Sequence, residues 1–214
     1  MKKHLITLGL SLAVIGFLSG CSQSDVPKEE KEATSEVERK IANKLDFENL
    51  YPDEEIRNLA KEVIGKKAPE FTVKNIAGES VSLEDYKGKN VVLEVASTTC
   101  SSCMEAYPKV KEFRDNHLED VNFLTVFPNQ TEEDVALFLK NLQAPSDNDL
   151  LIADNMSSLM MDYGVKYTPS FYFIDKEGYI QYFYVGSDFD SITMASMSDL
   201  AFGTNLSEFY KVVE

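Results

Sequence analysis

The sequence predicts one α/β domain whose mixed sheet has a parallel, doubly buried core with an antiparallel hairpin added to it. Three observations carry that expectation. The apolar run Val91-Val92-Leu93-Glu94-Val95-Ala96 leads through a short polar turn into a helical pattern, so the chain reads strand, turn, helix. Two short β-rich pieces, Phe71-Thr72-Val73 and Ser80-Val81-Ser82-Leu83, flank Ala77-Gly78, a hairpin signal. A further β-rich run starts at Ser170, directly behind Pro169, and a proline in that place marks the entrance of a strand rather than the middle of a ladder.

The chain of 214 residues opens on a segment of different character. Lys2, Lys3 and His4 form a basic start, and residues 5–18 form an apolar core too short for a comfortable membrane span. Residues 1–20 therefore read as an export leader. From Ser22 onward Glu, Lys, Ser and Thr dominate with almost nothing apolar. Such a stretch cannot bury enough surface to offset its chain entropy, so residues 21–45 are expected to form a flexible stalk. A formal charge of −15 argues against nucleic acid as a partner and against adhesion to anionic lipid.

Residues 46–65 are expected to form an N-terminal helix ahead of the main domain, residues 66–214. Asp53 stands as a cap behind Pro52, Ile56, Leu59, Ala60, Val63 and Ile64 recur at helical spacing, and Gly65 closes the segment. After Cys103, Tyr107, Val110, Phe113 and Leu118 give the next helix an apolar face, and Pro108 is expected to kink it. Residues 121–127 read as a second buried strand. Residues 131–142 read as an amphipathic helix, with Thr131 at its start, Glu133-Asp134 in its first turn and Val135, Leu137, Phe138 and Leu142 behind. Residues 150–152 form a short strand and 155–163 a helix ended by Gly164. Glu177-Gly178 turns the chain into a strand over residues 179–185, ended by Gly186. Residues 191–214 supply one or two helices packed on the sheet. Met156, Met160, Met161, Met194 and Met197 read as core filling rather than as a client-binding surface. His117, with no cysteine or carboxylate beside it to make a catalytic case, reads as a surface helix residue.

The chemistry is concentrated in Cys100-Ser101-Ser102-Cys103. Cys100 falls at the helix N-terminus, where unpaired N–H groups and the helix dipole favour a thiolate, and Cys103 lies one turn further in, in reach of a mixed disulfide on Cys100. A structural disulfide closing so small a loop contributes only roughly 2 kcal/mol on the chain-entropy model. A zinc site needs four ligands, and the rest of the chain offers only Cys21, His4 and His117. The pair therefore reads as a redox site, with no metal and no cofactor. Glu94, six residues before Cys100, interrupts an otherwise apolar run. A carboxyl buried there has its acidity weakened and can carry a proton near neutral pH, whereas on a half-exposed strand it is merely solvated.

Two resemblances add to this. Leu18-Ser19-Gly20-Cys21 resembles the lipobox of bacterial lipoproteins, which implies that Cys21 is lipidated and becomes the first mature residue. An uncleaved N-terminal anchor is the alternative, and either places the body outside the cytoplasm. The stretch Gly65-Lys66-Lys67-Ala68-Pro69-Glu70-Phe71, then Gly78, then Val81-Ser82-Leu83-Glu84-Asp85-Tyr86-Lys87-Gly88-Lys89, resembles the opening of TlpA/ResA-type thioredoxin-like proteins. The likeness continues through the cysteine pair and Pro108 to about Gly186. It implies a thioredoxin-like fold with a helical insertion near residues 131–142, and the activity of a membrane-tethered thiol–disulfide oxidoreductase. It implies a cis peptide bond at Thr168-Pro169, facing the pair, with the Thr168 backbone available to a client chain and Pro169 excluding unproductive metal binding. Thioredoxins carry an acid at the spacing of Glu94, where it helps deprotonate the resolving cysteine.

The chain departs from that family at Thr99, where most members have a tryptophan that shields the pair and contributes to the docking surface, and Ser101-Ser102 lacks a proline common in relatives. Thr99 is thereby placed among the client-contacting residues with Thr168 and Pro169. The leading expectation is a reductant of exported proteins, recharged by a membrane electron donor of the CcdA/DsbD type, with methionine sulfoxide reductase or apo-cytochrome c as candidate clients. The reverse flow, disulfide formation in exported proteins, is the alternative. A peroxidase reading rests on Ser97, three before Cys100 as in peroxiredoxins, but that family wants a proline where this chain has Leu93. A surface lipoprotein that only binds a partner is the non-enzymatic reading.

Overall fold

The computed structural model describes residues 45–213 apart from residues 146, 148, 149, 154 and 155. The expected leader, Cys21 and all but the last residue of the stalk lie outside the described residues.

In place of one N-terminal helix there are two, α1 (Phe47–Leu50) and α2 (Glu54–Val63). Pro52 separates them, because it has no N–H to offer a continuous helix. The Asp53 carboxylate accepts the Ile56 N–H at 2.9 Å and so starts α2, and Gly65, at φ +87°, leaves it. Both helices belong to the body of the protein. Tyr51, Leu59, Ala60 and Ile64 are buried in the main hydrophobic core, and the Tyr51 hydroxyl donates to the Phe183 carbonyl at 2.9 Å.

The hairpin β1 (Thr72–Asn75) and β2 (Ser80–Ser82) turns at Gly78 and is followed by a 3-10 turn over Leu83–Tyr86. Next come β3 (Val91–Val95), α3 (Ser101–Asn116), β4 (Asn122–Pro128) and α4 (Glu132–Asn141). The chain closes with β5 (Leu151–Ala153), α5 (Met156–Asp162), β6 (Ser170–Ile174), β7 (Ile180–Val185), α6 (Ser191–Phe202) and α7 (Ser207–Val213). The seven strands form one sheet in the order β2-β1-β5-β4-β3-β6-β7. β5, β4 and β3 run parallel, and antiparallel partners extend the sheet at both ends. This is the expected mixed sheet of a thioredoxin-like fold, with the hairpin at one edge and α4 as the helical insertion.

All five residues of β3 are buried, as are all five of β6. Covering both faces of a central strand explains its apolar sequence. On one face Phe113 of α3 meets Phe123, and Phe202 of α6 meets Phe173. The insertion packs on the same side, where Phe138 stands edge-on to both Tyr107 of α3 and Phe127 of β4. On the other face Tyr163, just after α5, stands edge-on to Tyr172. The cap of α4 is reciprocal: the Thr131 hydroxyl accepts the Asp134 N–H and the Asp134 carboxylate accepts the Thr131 N–H.

Several surface assignments from the sequence are corrected. His117 is buried, not exposed, because it follows α3 into a box made by Phe113, Phe209 and Tyr210. α7 supplies two of those rings, and its docking could not be read from residues near His117. Leu118 and Leu137 are exposed, so neither belongs to the apolar face of its helix. Met194 and Met197 fill the core as expected, while Met161 is exposed on α5. The side chain of Met156 lies outside the described residues.

Arg114 of α3 is buried and pairs with Asp147 in the connection between α4 and β5, at 2.5 Å, and the Tyr107 hydroxyl donates to the same carboxylate oxygen at 3.0 Å. Removing one partner of a buried pair leaves a desolvated charge unmatched, which costs about 3 kcal/mol. Asp147→Ala is therefore expected to lower the unfolding free energy by about that amount in a urea titration at neutral pH. An unchanged midpoint would show that solvent reaches Arg114.

Candidate active site

The site lies where the C-terminal end of β3 meets the N-terminal end of β6. Val95 is paired with Ser170, so the loop leaving β3 and the loop entering β6 must converge. The first carries Cys100, the N-cap of α3, and the second carries Thr168-Pro169 with a cis peptide bond. The Cys100 thiol donates to the Thr168 carbonyl at 3.2 Å, and the Cys103 N–H points at the Cys100 sulfur, also at 3.2 Å. Cys100 is half-buried and Cys103 is buried. One sulfur is thus presented to a partner and the other waits behind it.

Cys103 sits in an apolar pocket with Ala96, Tyr107, Phe127 and Phe138, so the insertion forms its back wall. Burial is the main reason its thiol is a much weaker acid than usual, and the neighbouring Cys100 thiol acts in the same direction. The Ser97 N–H, 3.4 Å from the Cys103 sulfur, opposes that effect, as does the Thr168 hydroxyl.

Glu94 is 2 % exposed and faces the same slab between the sheet and α3. Alternation along β3 puts it on the side of Ala96, which packs with Cys103. Burial pushes its carboxyl from an ordinary 4.5 up to about 7, against the opposing effects of the Thr125 hydroxyl and the Arg114 guanidinium. Glu94 is thus buried inside the strand rather than solvated on a half-exposed one.

Thr99 is exposed beside the pair. Its hydroxyl lies 3.2 Å from that of Ser97, and its N–H reaches the Ser97 hydroxyl at 3.4 Å. Where the ResA-type resemblance implies a tryptophan, this chain presents two hydroxyls bound to each other. Thr168 is partly exposed and Pro169 buried, and the Gly186 N–H donates to the Pro169 carbonyl at 3.0 Å, holding that loop against the end of β7. Three contributors were not read from the sequence. Thr125 of β4 donates to Glu94 at 2.7 Å, Thr98 is tied to Gln130 at the entry to α4, and Arg114 lies near enough to Glu94 to affect its charge. A lone hydroxyl in the apolar run of β4 was the available signal for Thr125, but only the register of β3 on β4 pairs it with Glu94.

Residues 64–183, more than half of the chain, match the family model described as AhpC/TSA. The chain belongs to the AhpC/TSA family. The chain is also similar to named relatives. The thioredoxin-like protein YneN of Bacillus subtilis is 30 % identical over 128 residues, covering 58 % of this chain and 72 % of that protein. The thiol–disulfide oxidoreductase ResA of Bacillus thuringiensis subsp. konkukian is 31 % identical over 118 residues, covering 54 % of this chain and 65 % of that one. Among solved structures, the pneumococcal exposed lipoprotein thioredoxin of Streptococcus pneumoniae superposes with a TM-score of 0.52 at 28 % identity, over 61 % of this chain and 98 % of that one. The ResA-type resemblance is upheld, and the protein is an enzyme of the thiol–disulfide oxidoreductase class with a thioredoxin fold.

The raised value of Glu94 sets a pH dependence of stability. Between 4.5 and about 7 the folded state keeps a proton that the unfolded chain releases, so stability falls as pH rises through that window and levels off above it. The loss amounts to ~3 kcal/mol at most. Glu94→Gln is expected to abolish this decline and to gain relative to wild type between pH 5 and pH 8 in denaturant titrations. A constant difference across that range would mean that the carboxyl is solvated.

Proposed function

We propose that Cys100 and Cys103 are the redox pair of this enzyme and that it donates electrons to disulfides of exported proteins. The observation that carries this reading is the asymmetry of the pair: a half-buried Cys100 sulfur against the cis Thr168-Pro169 bond, with a buried Cys103 one helical turn behind. The Cys100 thiolate attacks a client disulfide, forming a mixed disulfide and releasing one client thiolate. Cys103 then passes its proton to the Glu94 carboxylate and attacks the Cys100 sulfur. The second client thiolate leaves, two electrons have moved to the client, and the enzyme holds a Cys100–Cys103 disulfide. Thr168, through its backbone, Pro169 and Thr99 form the surface on which the client segment lies.

What supports the donor direction is the resemblance to ResA-type thiol–disulfide oxidoreductases. Burial keeps Cys103 a neutral thiol and so holds it back as the second, resolving group. A membrane donor of the CcdA/DsbD type would restore the dithiol, and methionine sulfoxide reductase or apo-cytochrome c are candidate clients. Anchoring through a lipid on Cys21, outside the cytoplasm, is supported by Leu18-Ser19-Gly20-Cys21 and by likeness to the exposed pneumococcal lipoprotein. Among the described residues no helix is long and apolar enough to cross a membrane.

Three outcomes are expected. The equilibrium potential of the pair should fall near thioredoxin's, about −270 mV, whereas a value near DsbA's, about −120 mV, would reverse the flow. Cys103→Ala should accumulate mixed disulfides with exported proteins through Cys100, visible by diagonal electrophoresis. No such adducts, with the potential of the wild-type pair unmeasurable, would end the redox reading. Cys21→Ala should move the protein from the membrane fraction to the soluble one and abolish palmitate labelling.

A further inference from the structure

Glu94 has one side-chain hydrogen bond among the described residues, and it comes from the neighbouring strand. Glu94 and Thr125 are directly opposite in the parallel pairing of β3 and β4, and the Thr125 hydroxyl donates to a Glu94 carboxylate oxygen at 2.7 Å. Both residues are 2 % exposed, so this bond has no competition from bulk water. Thr125 lies between Phe123, which meets Phe113 of α3, and Phe127, which lines the Cys103 pocket. Alternation therefore turns its hydroxyl into the slab that holds Cys103.

We propose that Thr125 is a positioning residue for Glu94, its hydroxyl holding the carboxylate in the ionised form and thereby setting the pH window in which Glu94 can accept the Cys103 proton. This rests on the reading of Glu94 as that acceptor. A hydroxyl donating to a buried carboxylate stabilises the charged form, because hydrogen bonds to charged groups are the strong ones and the apolar surroundings weaken them little. Without it the carboxyl stays protonated to higher pH and cannot take a second proton. β6 faces Glu94 with Phe171, which does not titrate. α3 contributes Arg114, which acts on Glu94, and the connection after α4 contributes Asp147, which engages Arg114 and Tyr107. Cys103 and Tyr107 of α3 lie in the core cluster with Ala96, on the same side of β3 as Glu94. Arg114 favours the same ionised form, but its guanidinium is already bound to Asp147. The Thr125 hydroxyl is the group aimed at Glu94 itself.

The transfer is balanced. The Cys103 thiol loses a proton to the Glu94 carboxylate, the Cys103 thiolate bonds to the Cys100 sulfur, and the bond from Cys100 to the client sulfur breaks. One negative charge moves within the slab and leaves with the client.

The test uses Thr125→Val, which keeps shape and removes the donor, and Thr125→Ser, which restores it. Thr125→Ala reads the same loss if the added methyl of valine crowds the carboxyl. Two quantities are followed against pH: the carboxyl resonance of carbon-13-labelled Glu94, and release of thionitrobenzoate from a preformed adduct on Cys100, which reports attack by Cys103. In Thr125→Val both midpoints are expected to rise by about one pH unit, slowing release about fivefold at pH 7, and in Thr125→Ser both should return. A carboxyl midpoint that stays in place in Thr125→Val and Thr125→Ala overturns the proposal. If the midpoint moves while release is indifferent both to Thr125→Val and to Glu94→Gln, the hold of Thr125 on Glu94 stands and the acceptor role of Glu94 is overturned.

Discussion

Everything at this site depends on the position of β3 between a parallel and an antiparallel neighbour. The parallel pairing with β4 sends both chains upward together, while the antiparallel pairing with β6 brings the entrance of that strand to the exit of β3. Cys100 and Thr168, 68 residues apart in the chain, therefore meet at 3.2 Å. The ladder can hold this geometry firmly because β3 and β6 are buried along their whole length. A one-residue slip would turn each strand's buried set to the wrong face and part the two loops.

Burial that secures the ladder also sets the electrostatics. Glu94 and Cys103 occupy the same apolar slab, and for both groups burial disfavours the charged form. In the proposed transfer, a proton passed from Cys103 to Glu94 relocates one negative charge without creating a second, so the slab need never hold two. Burial of Glu94 leaves a fold that loses stability as the carboxyl ionises. Thr125 limits that loss by offering the carboxylate a donor.

The insertion is part of the site rather than an ornament on it. Phe138 of α4 closes the Cys103 pocket, and Gln130 at the entry to α4 is tied to Thr98 in the cysteine loop. The connection that follows supplies Asp147 to the buried Arg114, so α3 is held from the side on which Cys103 lies. In front of the pair stands a polar lip, Ser97 and Thr99, while the aromatic mass stands behind it.

By itself the sequence determined the order of strands and helices, the cysteine pair at a helix start, the proline at the entrance of β6 and a carboxyl inside an apolar strand. Each of these is written in a few adjacent residues, through periodicity, caps and turn chemistry that act locally. The division of the N-terminal helix at Pro52 is equally local, because the proline has no N–H to continue a helix. Tertiary structure alone decided what depends on register and on docking between distant segments. The pairing of Glu94 with Thr125, the tie of Thr98 to Gln130, the Arg114–Asp147 pair and the burial of His117 under α7 are contacts between segments far apart in the chain, which no short-range pattern encodes. A strand's composition tells that it is buried; only its neighbours determine which partner each buried polar group receives.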